Sequence, residues 1–101
     1  KLILVMGHSK CGAIKLAEAS VHDGKISSIT NKIDLAISQC EHHSKESHDE
    51  YIDTISWLNV HNSVSEIVDK SEYVHRNAEI GKLKLVAAFY DVETGRIRFE
   101  R

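Results

Sequence analysis

Gly7-His8-Ser9-Lys10-Cys11-Gly12-Ala13 sets an imidazole and a thiol three residues apart, with a glycine on either side of the pair. Imidazole nitrogen and thiolate sulfur are natural zinc donors, and in a tight turn both side chains can converge on one ion. On spacing alone, H-x-x-C fits a buried cysteine at a helix start, beside a partly exposed histidine, better than a metal site, because metal sites normally show more ligands. A third use of the pair makes Cys11 a thiol nucleophile and His8 its base, with no orienting third group in view. Two other chemistries are excluded. Gly7 and Gly12 give G-x-x-x-x-G with no Lys-Ser/Thr after it, so the stretch is not a phosphate cradle. Ser9 lacks the G-x-S-x-G spacing of a nucleophile elbow.

The elements around this stretch are strand, loop and helix. Leu2-Ile3-Leu4-Val5-Met6 is a continuous apolar run ended by Gly7, the pattern of a strand buried on both faces of a parallel sheet. Residues 7–12 read as a tight polar loop whose glycines permit close backbone approach and positive φ. Ala13, Ile14, Leu16 and Ala17 follow with helical spacing. Open α/β sheets bind ligands at the carboxyl ends of their strands. Cys11 falls at the start of the helix, where the dipole and unpaired N–H groups favour thiolate.

Asp23-Gly24 marks a turn. A second helix is predicted over 27–40, with Ile26, Ile29, Ile33, Ala36, Ile37 and Cys40 as its apolar stripe. Residues 41–50 read as a polar, His-rich loop. A third helix starts after His48 or Asp49, either of which can cap it, and Ile52, Ile55, Val60, Val64, Ile67 and Val68 form its apolar side. Ser71 caps a short helix that runs to Ile80 and stops at Gly81. Leu83 to Tyr90 is the second strong strand. After a turn over 91–95, Arg96 to Arg101 alternates polar and apolar residues, as a half-exposed strand paired back in a hairpin does.

One small domain fits 101 residues, and 42% apolar with 28% charged residues is ordinary for a globular chain. A net charge of −2 gives no field for nucleic acid or an anionic membrane. Arg96, Arg98 and Arg101 are the single basic group, and it is short. No apolar run approaches the roughly 18 residues of a membrane span. Cys11 and Cys40 do not make the disulfide framework of a small secreted fold, and the first residues do not read as a signal peptide, so the cytoplasm is the expected compartment. The chain opens inside a strand, and three strands are few for a doubly wound sheet. It is therefore expected to be a piece of something longer, completed by further sequence or a partner chain.

Leu4-Val5-Met6-Gly7-His8-Ser9-Lys10-Cys11-Gly12-Ala13 closely resembles the second zinc motif of β-class carbonic anhydrases, an apolar strand followed by G-H-S/T-x-C-G-A. Residues 81–97, from Gly81 through Asp91-Val92-Glu93-Thr94-Gly95 to Ile97, resemble that family's closing strand, turn and strand. The helical middle has about the length that separates these motifs, so the resemblance covers essentially the whole chain. It implies an α/β fold: a parallel-sheet core with flanking helices and a C-terminal hairpin, forming a single domain over 1–101 that lacks the first zinc-ligand strand. It implies that His8 and Cys11 are two of three protein ligands to zinc, with Gly7, Ser9, Gly12 and Ala13 as the loop beside the metal. Zinc bound there lowers the pKa of a water toward about 7, which suits hydration of CO2 to bicarbonate. It implies a homodimer or a larger assembly.

The family's other zinc cysteine belongs to a C-x-D-S-R motif, which this sequence does not contain. Little activity is therefore expected of these 101 residues alone. A different class of function is a non-catalytic module that senses bicarbonate or regulates an anion transporter as its cytoplasmic tail. Cys40 lies on the stripe of the second helix and reads as a core residue rather than as a replacement ligand. His42, His43 and His48 could form a second metal site, a proton shuttle or a pH sensor, and read more simply as a solvated loop. His22, His61 and His75 are assigned no role. Trp57 and Tyr90 read as packing residues, and Asp91, Glu93 and Thr94 as turn formers.

Overall fold

The computed structural model describes residues 1–40 and 47–100. Its elements run β1 (Leu2–His8), α1 (Gly12–Glu18), a 3-10 turn (Gly24–Ile26), α2 (Ser27–Gln39), α3 (His48–Lys70), α4 (Glu72–Glu79), β2 (Lys84–Tyr90) and β3 (Ile97–Glu100). The α/β class, the flanking helices and the closing hairpin are as the sequence implies. The sheet order is β1-β2-β3, with β1 and β2 parallel and β2 and β3 antiparallel.

Three local expectations change. β1 does not end at Gly7. It continues through His8, because the backbones of Gly7 and His8 stay in register with Phe89 and Tyr90. Gly12 and Ala13 open α1, so the loop shrinks to Ser9, Lys10 and Cys11. The cap of α3 is Ser47, whose hydroxyl accepts from the N–H of Glu50 at 3.1 Å. This is the Ser-x-x-Glu arrangement of a capping box. His48 is thus the first residue of a helix, and His42 and His43 lie outside the described residues.

Ile14, Ala17, Ile33, Ala36, Ile52 and Ile55 form one buried cluster among α1, α2 and α3. The stripe of α2 is rotated from the expected one. Thr30 is fully buried while Ile26 and Ile29 are exposed, because Thr30 can satisfy its hydroxyl inside, on the Ile26 carbonyl and on His22 Nδ1. Cys40 caps the end of α2 and packs against the cluster with Cys11, as a core cysteine would.

The sheet is covered on one face. α3 lies against β1 and β2, and no other described helix makes substantial contact with the strands. The register puts Leu2, Leu4 and Met6 of β1 on the opposite face, together with Ile97 and Phe99 of β3. Those five side chains are 44 to 65% exposed. The expectation that β1 is buried on both faces is therefore corrected: its residues alternate between exposed and half-buried.

Candidate metal centre

His8 is the last residue of β1 and Cys11 the N-cap of α1, so strand and helix each present one donor at the carboxyl edge of the sheet. Both side chains line a single cleft of about 1130 Å³ between β1, α2 and α3, with Gly7 and Ala13 beside them. His8 Nδ1 lies 2.9 Å from the carbonyl oxygen of Ser9. A carbonyl can only accept, so Nδ1 carries a proton, and in the neutral ring that leaves the lone pair on Nε2. Histidines that bind metal are held in this way, the second ring nitrogen donating to a backbone oxygen. This donor pair fits zinc as part of a ligand set. Among the described residues no group of three or more His, Cys, Asp or Glu side chains could hold a metal, so Cys40 does not complete the set.

The chain around the pair is held from three sides. Gly7 allows β1 to approach α3, since a Cβ there would stand 2.7 Å from Val60 Cγ2 and 2.8 Å from Ser56 Oγ. That close approach is the reason for glycine here, and the left-handed backbone falls elsewhere, on Lys10 at φ 54°. Ser56 Oγ donates to the His8 carbonyl at 3.3 Å. Ser9, which is buried, donates its N–H to the Tyr90 carbonyl at 2.9 Å, and its hydroxyl accepts from the Val92 N–H at 2.9 Å. Lys10 donates its N–H to Asp53 Oδ1 at 3.2 Å and pairs its ammonium with Glu93.

The charges around the loop respond to these contacts. The hydrogen bond to Glu93, with that carboxylate's charge, raises the pKa of Lys10. Burial pushes the Asp53 carboxyl up, against the Lys10 N–H that holds it down. The Glu93 N–H draws Asp91 down.

The structure therefore brings Gly7, His8, Cys11 and Ala13 to one cleft and puts Ser9 behind them as an internal tie. Gly12 faces open space. Lys10, Asp53, Ser56 and Glu93 were not singled out for the site from sequence. One available signal was the spacing of Asp53, Ser56 and Val60 along α3, which puts them on one helix face.

A family model described as carbonic anhydrase matches residues 1–97. The solved beta-carbonic anhydrase CcaA is 20% identical, with a TM-score of 0.75 over 97% of this chain and 46% of that one. The b-carbonic anhydrase CafA of the fungal pathogen Aspergillus fumigatus is 24% identical, with a TM-score of 0.81 over 99% of this chain and 48% of that one. At these identities the likeness is one of fold, and the chain spans about half the length of each structure. No curated protein matches.

Proposed function

This chain belongs to the β-class carbonic anhydrase family, and from that premise we propose that it is the part of a zinc carbonic anhydrase that supplies His8 and Cys11 to the metal. The reaction of the complete protein is the reversible hydration of CO2 to bicarbonate and a proton. One observation carries the reading. The Nδ1 contact to Ser9 leaves His8 Nε2 as a lone-pair donor, and Cys11 opens on the same cleft.

Zinc, when bound, supplies the Lewis acidity that makes water a nucleophile at neutral pH. The chain's own residues do the positioning. Ser56 and Ser9 fix the backbone of the ligand loop, and Gly7 sets its distance from α3. The apolar walls contributed by Val5, Ile14 and Val60 suit an uncharged substrate such as CO2. These 101 residues alone are weakly active or inactive in this reading, because the described residues hold no third donor.

The protein is assigned to the cytoplasm, supported by two cysteines that form no disulfide. No described helix is long and apolar enough to cross a membrane. A homodimer or larger assembly is supported by the uncovered apolar face of the sheet, since such faces mark contact with further protein. Light scattering that finds a monomer would remove this part of the reading.

The test is metal content together with stopped-flow CO2 hydration by the full-length protein. Stoichiometric zinc, with activity lost in His8→Ala and Cys11→Ala, is the expected result. Full-length protein that binds no zinc at these two residues would instead support the non-catalytic, bicarbonate-sensing module.

A further inference from the structure

Two non-glycine residues of the described chain have left-handed backbone, Lys10 and Ser20. Ser20 has a local reason for it. It follows the end of α1, and the N–H groups of Ser20 and Val21 return to the carbonyls of Ala17 and Leu16, as in a helix-terminating motif. Lys10 has no such motif. It stands between a strand and a helix, and its N–H is taken by a carboxylate 43 positions away on α3. A left-handed lysine persists only where its surroundings hold it.

The geometry at Lys10 sets how the two donors are placed relative to each other. His8 ends β1 on one side of the residue, and Cys11 begins α1 on the other. A turn released at Lys10 would swing imidazole and sulfur apart while leaving strand and helix intact. The ammonium of Lys10 reaches Glu93 in the β2–β3 turn, but that contact is made by a long exposed side chain and constrains the backbone little. Asp53 grips the backbone itself. It does so from a partly buried place where burial works against its charge, and the Lys10 N–H, ahead of the more distant charge of Arg98, favours the ionised form.

We propose that Asp53 is a positioning residue of the metal loop: its carboxylate, by accepting the Lys10 N–H, holds the left-handed turn that makes His8 and Cys11 converge. The inference rests on the zinc reading for its consequence, and on the Lys10 contact for its mechanism.

The experiment compares wild type, Asp53→Ala and Asp53→Asn in the full-length protein, with Co(II) as the metal probe. Alanine is the better helix former at this position, so α3 survives the change. Asn keeps an acceptor without the charge. Amide hydrogen exchange at Lys10 reads the turn without metal, and the thiolate-to-cobalt absorption band reads the site with it. Asp53→Ala is expected to lose the protection at Lys10 and to weaken Co(II) binding about 10- to 100-fold, as outer-shell changes do. Asp53→Asn is expected to restore both, while protection along β2 stays constant in all three proteins. Unchanged Lys10 protection and unchanged cobalt affinity in Asp53→Ala overturn the proposal, and so does an Asn variant as impaired as the Ala one. A wild-type protein with no thiolate-to-cobalt band defeats the zinc reading instead, and the exchange data still decide whether Asp53 holds the turn.

Discussion

On the face of the sheet toward α3, Gly7 packs within van der Waals reach of Val60 and Ser56, and Trp57 stacks on Phe89 at 5.4 Å between ring centroids. On the other face Leu2, Leu4, Met6, Ile97 and Phe99 meet no helix among the described residues. The outer face is the more apolar of the two at β3. There the position facing α3 is the exposed Arg98, whose guanidinium lies 5.6 Å from the Trp57 ring and 5.5 Å from that of Phe89. Alternation along β3 thus shows two faces without showing which one is packed. Apolar side chains report that a surface is to be covered. What covers it is a separate fact, set by where the helices fall.

If the difference between the faces is one of packing, substitutions should separate them by size of effect. Phe89→Ala, on the covered face, is expected to cost about 3–5 kcal/mol in urea unfolding, from lost burial and a residual cavity. Gly7→Ala should cost about 1–3 kcal/mol, because its added methyl must displace Val60 or Ser56. It should also loosen metal binding, as His8 is the next residue. Arg98→Ala should lose about 0.5–1 kcal/mol despite its exposure, because its charge sits over two rings. Leu4→Ser and Phe99→Ser should change unfolding by no more than about 0.5 kcal/mol and act on self-association instead. If they destabilise an isolated chain as strongly as Phe89→Ala does, the outer face is not bare and the comparison breaks.

The acid response sharpens the same contrast at the covered edge. Asp91 has its pKa lowered by the Glu93 N–H, so its contribution is present above the unfolded value of 3.8 and fades as pH falls through the lower folded value. Asp53 has its pKa raised by burial, so its contribution favours the fold below 3.8 and is lost as pH rises through the higher folded value. Asp53→Asn should therefore be slightly more stable than wild type at pH 7. That advantage should vanish on acidification, as measured by thermal unfolding across the pH range.

The strands were legible as apolar runs over residues 2–6 and 83–90, and the helices as stripes of period 3.6. The donor pair was legible because His8 and Cys11 are close in sequence. What escaped was set by partners far along the chain. Gly7 and His8 read as loop, because glycine carries no apolar signal, yet the backbone pairs with Phe89 and Tyr90. Ile29 reads as core, yet Thr30 takes the buried place, where His22 gives its hydroxyl a partner. Asp53 and Ser56 are ordinary polar residues of a helix until β1 is laid against it. The Ser47 and Glu50 pair was a sequence signal that His48 and Asp49 overshadowed.

The parallel pairing of β1 with β2 joins segments far apart in sequence, Leu2 beside Lys84 and His8 beside Tyr90. Every such pairing is non-local, and the loop between must close before any of it is rewarded. During synthesis, therefore, β1 leaves the ribosome well before β2 and waits for the helices between them to follow. Over that interval the helices can gather around their own cluster while the edge of β1 that takes β2 stays unpaired. Until β2 arrives the nascent chain is exposed to aggregation and to chaperone capture, and the paired strand end that carries His8 cannot take shape.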